Sequence, residues 1–124
     1  MEEVDKAYLA GIIDGEGCIS VVNGRQLIIK VAMYDKSPME LVSALFGSNL
    51  SPCKRGYQTM ISGYRAKEVI TDILPYLRGK TEQAKLALKY PLGKKHHKYS
   101  LSDVDYQVRE DINFQLKEMK RGGN

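Results

Sequence analysis

The spacing of apolar residues changes along the chain between the period of a helix and the period of a strand, which divides the sequence into short elements. From about Val4 to Asp14, a proline-free segment rich in alanine, glycine, leucine and isoleucine predicts a short helix. Two strands are predicted next, over Cys18 to Val22 and Gln26 to Tyr34. The Asn23-Gly24 dipeptide between them is typical of the tight turn of a β-hairpin.

The second strand and the helix after it both have two-sided patterns. One side of the strand carries Leu27, Ile29, Val31 and Met33, and the other carries Gln26, Ile28 and Lys30. The segment Ser37-Pro38-Met39-Glu40 has the residue order of a capping box with proline at the first helical position, so we expect Ser37 to be the N-cap. That helix would end at Gly47 and bury Leu41, Val42, Leu45 and Phe46.

The next part of the chain predicts a second hairpin and two short helices. The hairpin spans about Pro52 to Ser62, with Lys54-Arg55-Gly56 as its turn. Helical spacing follows from Arg65 to Leu74 and again from Thr81 to Tyr90. Pro91 to Ser100 shows neither period and is rich in basic residues, so it is predicted to be a loop.

A final helix is predicted from an N-cap at Ser102 to a stop at Gly122-Gly123. Its apolar stripe consists of Val104, Val108, Ile112, Leu116 and Met119. The order of elements, with two hairpins between helices and no long repeat, indicates the α+β class with an antiparallel sheet and helices on one face. The opposite face of such a sheet is uncovered, so it needs a partner.

Length and composition favour one globular domain. The 124 residues are 43% hydrophobic and 27% charged, and we expect a single domain over residues 1–124, with a core to about residue 90, a basic connector over 91–100 and a C-terminal helix over about 102–121. Two cysteines are too few for a disulfide framework. The net charge of +4 fits a polyanionic partner without establishing one.

The chain has no charged-then-apolar leader, and its apolar stretches fall well below the ~20 residues of a membrane span. We therefore expect a cytoplasmic protein, or one of an organellar matrix if an organelle intron encodes it, that is not secreted. Neither a membrane nor a small-molecule substrate is expected as a partner.

The first predicted helix has one face with almost no side chains. Ala7, Gly11 and Gly15 are four residues apart and therefore line the same side. Two helix backbones could meet closely on this face, as a contact between subunits or subdomains. The alternative is a helix packed on its own sheet, where the glycines relieve crowding, and the spacing alone does not separate the two.

Asp14 and Glu16 lie at the C-terminal end of this helix, where the helix dipole disfavours a carboxylate by ~0.3 to 1 kcal/mol. Something positive should compensate them. If the small face meets a two-fold mate, the two Glu16 side chains also repel each other, and divalent cations shared by the pair would relieve both costs. Otherwise both acids are solvated turn residues.

The same residues resemble a known family motif. Leu9 to Gly17 resembles the LAGLIDADG motif, and Gly11 to Ile19 is similar to its Asp-Gly-Glu-Gly variant. The element order resembles the αββαββα core of the LAGLIDADG homing endonucleases over about residues 1–90, and Leu77 to Ala84 is similar to the family segment that bears an active-site lysine. The resemblance implies the single-motif, homodimeric type, with a saddle-shaped antiparallel sheet and extra C-terminal helices.

The resemblance also implies roles for single residues. Glu16 is expected to ligate a metal ion with help from the Gly15 carbonyl, and Lys80 is expected near the scissile phosphate. The implied cofactor is Mg²⁺, with Mn²⁺ as a substitute, because oxygen ligands suit such ions. Asp14 matches the motif's first acid, which is structural in relatives. The implied dimer interface consists of Ala7, Gly11, Asp14 and Gly15.

The implied activity is site-specific hydrolysis of both strands of double-stranded DNA at an approximately palindromic target, by a homodimer because each chain has one metal carboxylate. The uncovered sheet face would lie in the major groove as β-ribbons. The candidate DNA contacts are Ser20, Arg25, Gln26, Lys30, Lys54, Arg55 and Gln58. The connector over Lys94 to Lys98 could hold phosphate, whereas the His96-His97 pair lacks the further ligands of a zinc site.

Other functions stay open at this point. An RNA maturase or a cleavage-inactive DNA-binding protein could use the same fold. Met33 stands where some relatives have a polar residue close to the metal-bound water, and the basic residue near Lys36 has no assigned role, which weakens the case for efficient cleavage. A different class is a structural or interaction domain whose glycine-faced helix merely dimerises.

Overall fold

Two β-hairpins and five α-helices make up residues 1–93 and 101–121, the parts of the chain that the computed structural model describes. A short 3₁₀ helix, Leu74–Tyr76, follows the third helix. No helix in these parts is both long enough and apolar enough to cross a membrane. The α-helices are α1 (Glu3–Glu16), α2 (Lys36–Phe46), α3 (Gly63–Ile73), α4 (Thr81–Leu88) and α5 (Asp103–Arg121), and the strands are β1 (Gly17–Val22), β2 (Gln26–Met33), β3 (Ser51–Cys53) and β4 (Gly56–Ser62).

The four strands form one antiparallel sheet in the order β1-β2-β4-β3, which confirms the predicted α+β class. Ile19, Ile29 and Ile61 lie opposite one another on neighbouring strands and are buried under the helices. The next row along the strands, Cys18, Lys30 and Met60, faces the other way. The sheet therefore has one covered face and one open face, because successive side chains of a strand point to opposite sides.

The core lies between the sheet and the helices and is filled by aliphatic and aromatic side chains. Its largest fully buried members include Phe46 of α2, Tyr90 after α4, and Leu9 and Ile13 of α1. Burying such side chains stabilises a fold by about 1.5–3 kcal/mol each. The buried side of α1 is therefore held firmly against its own domain.

The predicted start of α2 is wrong. The helix begins at Lys36 after an N-cap at Asp35, and no side chain caps it, so Ser37 lies inside the first turn. The side of α2 that packs on the sheet carries Met39, Val42 and Phe46, which leaves Leu41 38% exposed instead of buried as predicted. The predicted stop is confirmed: Gly47 has a φ of 70° and donates its N–H to the Ala44 carbonyl.

Other predicted bounds shift by one or two residues. The helix α1 runs on to Glu16, α3 begins at Gly63 and ends at Ile73, α4 ends at Leu88, and β1 starts at Gly17 and β2 ends at Met33. Such shifts are expected because helix and strand ends depend on local hydrogen bonds that apolar spacing does not report.

The N-cap predicted at Ser102 is confirmed, and it forms a capping box that was not predicted there. The Ser102 hydroxyl accepts the Asp105 N–H, and the Asp105 carboxylate accepts the Ser102 N–H, both at 3.1 Å. Ile112 and Leu116 are buried as predicted, but Val104 is 71% exposed, because the helix buries its middle and later turns and leaves its first turn in solvent. The predicted loop residues 94–100 and the stop at Gly122-Gly123 lie outside the described residues.

Arg109 attaches α5 to the end of α4. Its Nε donates to the Pro91 carbonyl at 2.9 Å, and its guanidinium lies over the rings of Tyr90 and Tyr106 at 5.1 and 5.7 Å. Burial raises the pKa of the Tyr90 phenol, and the neighbouring Arg109 charge partly opposes that rise. The far end of α5 lies near β1, where Lys120 contacts Cys18.

Candidate active site and nucleic-acid interface

The first acid of the motif, Asp14, is occupied by backbone groups of its own chain. Its carboxylate accepts the N–H groups of Arg78, Gly79 and Lys80 at 2.8, 3.0 and 2.9 Å. A carboxylate at the C-terminal end of a helix needs a compensating positive group. Here that group is the set of backbone N–H groups at the start of the segment leading into α4. Asp14 joins α1 to that segment and has both carboxylate oxygens engaged.

Lys80 lies against the same end of α1. Its ammonium donates to the main-chain carbonyl of Asp14 at 2.7 Å. The last carbonyls of a helix have no intrahelical donor and carry the negative end of the dipole, so a lysine there is favourable. The structure thus brings Lys80 within two residues of Glu16 along the α1 backbone.

Glu16 has a different environment from Asp14. It is the last residue of α1, its side chain is 46% exposed, and its Oε2 lies 3.6 Å from Nη2 of Arg55. Arg55 belongs to the turn between β3 and β4. Glu16 and Arg55 line a groove of about 370 Å³ on the open side of the sheet, together with Cys18, Lys30, Ala32, Cys53, Lys54 and Gln58.

The described residues of one chain do not form a complete metal site. Within residues 1–93 and 101–121, no group of three or more His, Cys, Asp or Glu side chains could hold an ion. The available donors are the Glu16 carboxylate and the main-chain carbonyl of Gly15 in the last turn of α1. These hard oxygen donors fit a Mg²⁺-type ion, which commonly binds through one or two carboxylates and completes its shell with water and phosphate oxygens.

The small-residue face of α1 is uncovered in the single chain. Gly11 and Gly15 would place an added Cβ in open space, with nothing within 4 Å. The glycines therefore do not relieve crowding against the chain's own sheet, which removes that alternative interpretation. Ala7 is also exposed, and the same face carries Val4 and Tyr8, which are 72% and 46% exposed.

The open face of the sheet carries most of the predicted DNA contacts. The strand register places Ser20, Gln26, Lys30 and Gln58 on this face. Arg25 lies in the turn between β1 and β2, and Lys54 lies beside Arg55 in the other hairpin turn. A second groove of about 650 Å³ extends the face toward β3 and is lined by Lys30, Ser48, Asn49, Ser51, Gln58, Thr59 and Met60.

Comparison with solved structures identifies the fold. The homing endonuclease I-CvuI in complex with its target superposes with a TM-score of 0.75 at 19% identity, covering 94% of this chain and 82% of that chain. The archaeal intron-encoded homing endonuclease I-Vdi141I, complexed with DNA, gives a TM-score of 0.75 at 14% identity, covering 96% and 86%. The chain has the LAGLIDADG homing endonuclease fold. Neither a protein-family model nor a curated protein sequence matches it.

A further LAGLIDADG fold differs in length. The LAGLIDADG meganuclease I-AabMI, bound to uncleaved DNA, superposes with a TM-score of 0.62 at 21% identity, and the match covers 87% of this chain but 43% of that one. This chain therefore spans less than half of I-AabMI. Its length fits the single-motif type of the LAGLIDADG fold.

Some residues beside the motif of this LAGLIDADG fold were missed by the sequence patterns. Lys120 of α5 donates to Cys18 Sγ at 3.1 Å, two residues from Glu16. Met60 lies on the open sheet face and is half exposed. Alternation along β4 would have identified Met60, whereas no sequence signal connects Lys120 to a cysteine 102 residues away.

Two residues in doubt at the sequence level now have positions. The Lys36 ammonium lies 5.7 Å from the ring centroid of Tyr57. Met33 is partly buried and packs against the core. Its thioether is at best a weak hydrogen-bond acceptor. Among the residues that the structure describes, the Lys80 ammonium contacts the Asp14 carbonyl and the Arg55 guanidinium lies near the Glu16 carboxylate.

Proposed function

We propose that this chain is a divalent-metal-dependent endonuclease that hydrolyses double-stranded DNA, acting as a homodimer at an approximately palindromic site. The observation that carries the proposal is the uncovered glycine face of α1 ending at an exposed Glu16, beside a groove on the open sheet face. Structures of the same fold bound to DNA support the DNA-binding part of the proposal, one of them in the presence of 2 mM Mg with the DNA not cleaved and another with 2 mM Ca.

The proposed dimer pairs two α1 helices about a two-fold axis. Gly11 and Gly15 allow two backbones to approach closely, and the exposed Val4 and Tyr8 add apolar surface that gains by leaving water. A two-fold contact uses the same patch on both subunits, so it brings the two Glu16 carboxylates toward each other. Each subunit would then serve one DNA strand.

The open sheet face is proposed to bind the DNA. Lys30, Lys54 and Arg25 supply positive charge on or beside that face, and Gln26 and Gln58 supply amides suited to adenine edges. Contacts to phosphate would set position and contacts to base edges would set sequence preference. Ser20 and Arg55 complete the proposed contact set.

The roles of the chain's residues follow from their positions. Glu16 and the Gly15 carbonyl would hold the cation. A divalent cation bound there supplies Lewis-acid stabilisation and lowers the pKa of bound water. Lys80 would present its ammonium to the scissile phosphate, where positive charge stabilises charge that develops in the transition state. Asp14 would keep Lys80 in place by binding the backbone around it.

Cleavage of a randomised duplex library tests the proposal. The chain is expected to cut selected sites only when Mg²⁺ or Mn²⁺ is present. Glu16→Gln should keep DNA binding and lose cutting by at least about 100-fold, the scale of several kcal/mol of transition-state stabilisation. Glu40→Gln, the same change at an exposed position on α2, should cut normally. Undiminished cutting by Glu16→Gln would remove this residue from the mechanism.

A cleavage-inactive DNA-binding protein is the second candidate function. This candidate needs only the open sheet face with its basic and amide side chains, and no metal ion at Glu16. This candidate predicts DNA affinity that falls steeply with salt and no strand breaks with either metal. Metal-dependent breaks from the unmodified chain would exclude it.

A further inference from the structure

The two acids of the motif are two residues apart but have partners of opposite character. Asp14 is held by backbone N–H groups, which are fixed parts of the fold. Among the described residues, Glu16 has one partner, the guanidinium of Arg55. An exposed carboxylate at a helix C-terminus is otherwise disfavoured by the dipole, so a cation at this position is favourable.

The contact between Glu16 and Arg55 is easily broken. The distance of 3.6 Å between Nη2 and Oε2 is too long for a hydrogen bond, so the attraction is electrostatic only. The two side chains are 46% and 68% exposed, and solvent-exposed ion pairs of this kind are weak. A divalent ion bound directly by the Glu16 carboxylate would carry twice the charge of the guanidinium, so it would displace Arg55.

The backbone that carries Arg55 is held in place by the residue that follows it. Gly56, the next residue, has a φ of +102°, and a Cβ there would lie 2.5 Å from the Met33 carbonyl oxygen. The hairpin turn therefore packs closely on the end of β2. From this fixed point the Arg55 side chain reaches across the groove that Lys30, Lys54 and Gln58 also line.

We infer that Arg55 is an internal counter-ion of Glu16 that the catalytic metal ion displaces, and that a DNA phosphate takes up the released guanidinium. The inference rests on the proposed function. It gives Arg55 a second role beyond contacting a base or phosphate, because Arg55 then links the binding of the metal ion to the binding of DNA. Guanidinium binds phosphate bidentately, so DNA removes the competitor from Glu16. Metal and DNA therefore increase each other's affinity, because such coupling is reciprocal.

Binding of Mn²⁺ alone to the full chain, followed by the electron paramagnetic resonance signal of the free ion, tests the first half. Arg55→Gln should bind Mn²⁺ about 1.5- to 5-fold more tightly than Lys54→Gln, the range that corresponds to the loss of an exposed ion pair. The Lys54→Gln control removes the same charge from the neighbouring residue of the same groove. Equal or weaker binding by Arg55→Gln overturns the inference.

Adding duplex DNA tests the second half. The duplex should tighten Mn²⁺ binding about 1.5- to 5-fold more in the unmodified chain than in Arg55→Gln, because the variant has no competitor left to remove. An equal effect in both proteins overturns this half.

Glu16→Gln separates this inference from the proposed function. If Glu16→Gln binds Mn²⁺ as tightly as the unmodified chain, the proposed metal site itself fails. If it loses Mn²⁺ while Arg55→Gln and Lys54→Gln behave alike, the counter-ion role fails and the endonuclease proposal stands. The nuclear magnetic resonance signal of the Arg55 side-chain Nε–H gives a direct readout. Displacement is supported if this signal shifts when Ca²⁺ is added and is already shifted in Glu16→Gln. A signal that neither change affects contradicts displacement.

Discussion

Replacing Asp14 with alanine removes the acceptor of three backbone N–H groups at once. The contacts to Arg78 and Gly79 are exposed to solvent, whereas the contact to the Lys80 N–H is partly buried. A hydrogen bond to a charged group contributes about 1.5–3 kcal/mol, and an orphaned buried donor costs about 1–3 kcal/mol. Because water can replace the two exposed contacts, we expect a total loss of about 2–4 kcal/mol.

That loss is a large part of the stability of a domain, which is typically about 5–15 kcal/mol. Asparagine at the same position gives a graded test. Its amide oxygen can still accept from Gly79 and Lys80, but the NH₂ group cannot accept from Arg78, and the charge is gone. Asp14→Asn should therefore lose about half as much as Asp14→Ala.

Urea unfolding followed by circular dichroism measures both variants. Asp72→Ala serves as the control, since no hydrogen bond joins the half-buried Asp72 side chain on α3 to another described residue, and changes away from such contacts stay within about 0.5 kcal/mol. Asp14→Ala should also lower DNA cutting while Glu16 still binds metal, because Lys80 loses its fixed backbone. A loss below about 1 kcal/mol, or equal losses for alanine and asparagine, would refute the account of Asp14 as a clamp.

Three further predictions concern the interface, a turn and pH. Gly11→Leu should leave the fold intact but shift sedimentation from dimer to monomer, since a side chain there meets nothing in its own chain; an unfolded variant would contradict this. Gly56→Ala should lower the free energy of unfolding in urea by about 2–4 kcal/mol, because its φ is positive and an added Cβ would lie 2.5 Å from the Met33 carbonyl oxygen. A loss near zero would show that the turn does not pack tightly on β2. Burial raises the pKa of Tyr90 in the folded state, so unfolding is favoured as pH rises above the ordinary value of 10.0. Stability should fall there, and Tyr90→Phe should reduce that slope; an unchanged slope would assign it to other groups.

Much of the architecture was predictable because apolar spacing reports local structure directly. The alternation from Gln26 to Tyr34 gave the correct two faces of β2, and the N-cap predicted at Ser102 was confirmed. Errors arose where tertiary contacts decided between similar options. On α2, packing against the sheet buries Met39 and leaves Leu41 exposed. On α5, the middle and later turns are the ones that pack, so Val104 stays in solvent.

The candidate site divides in the same way. The acids, the glycine spacing and Lys80 were readable because they lie in short segments with recognisable residue order. Their partners were not, because each contact joins segments distant in sequence. Asp14 meets residues 64 to 66 positions later, and Lys120 meets a cysteine 102 positions earlier.

By itself, the sequence determined the class of fold, the elements and the motif, since these depend on periodicity and on neighbours within about one turn. Only the tertiary structure decided that the glycine face of α1 stays uncovered and that Asp14 is hydrogen-bonded to backbone N–H groups. It alone also places Arg55 near Glu16. Those outcomes depend on how helices and hairpins pack, and packing is a property of surfaces that meet across the whole chain.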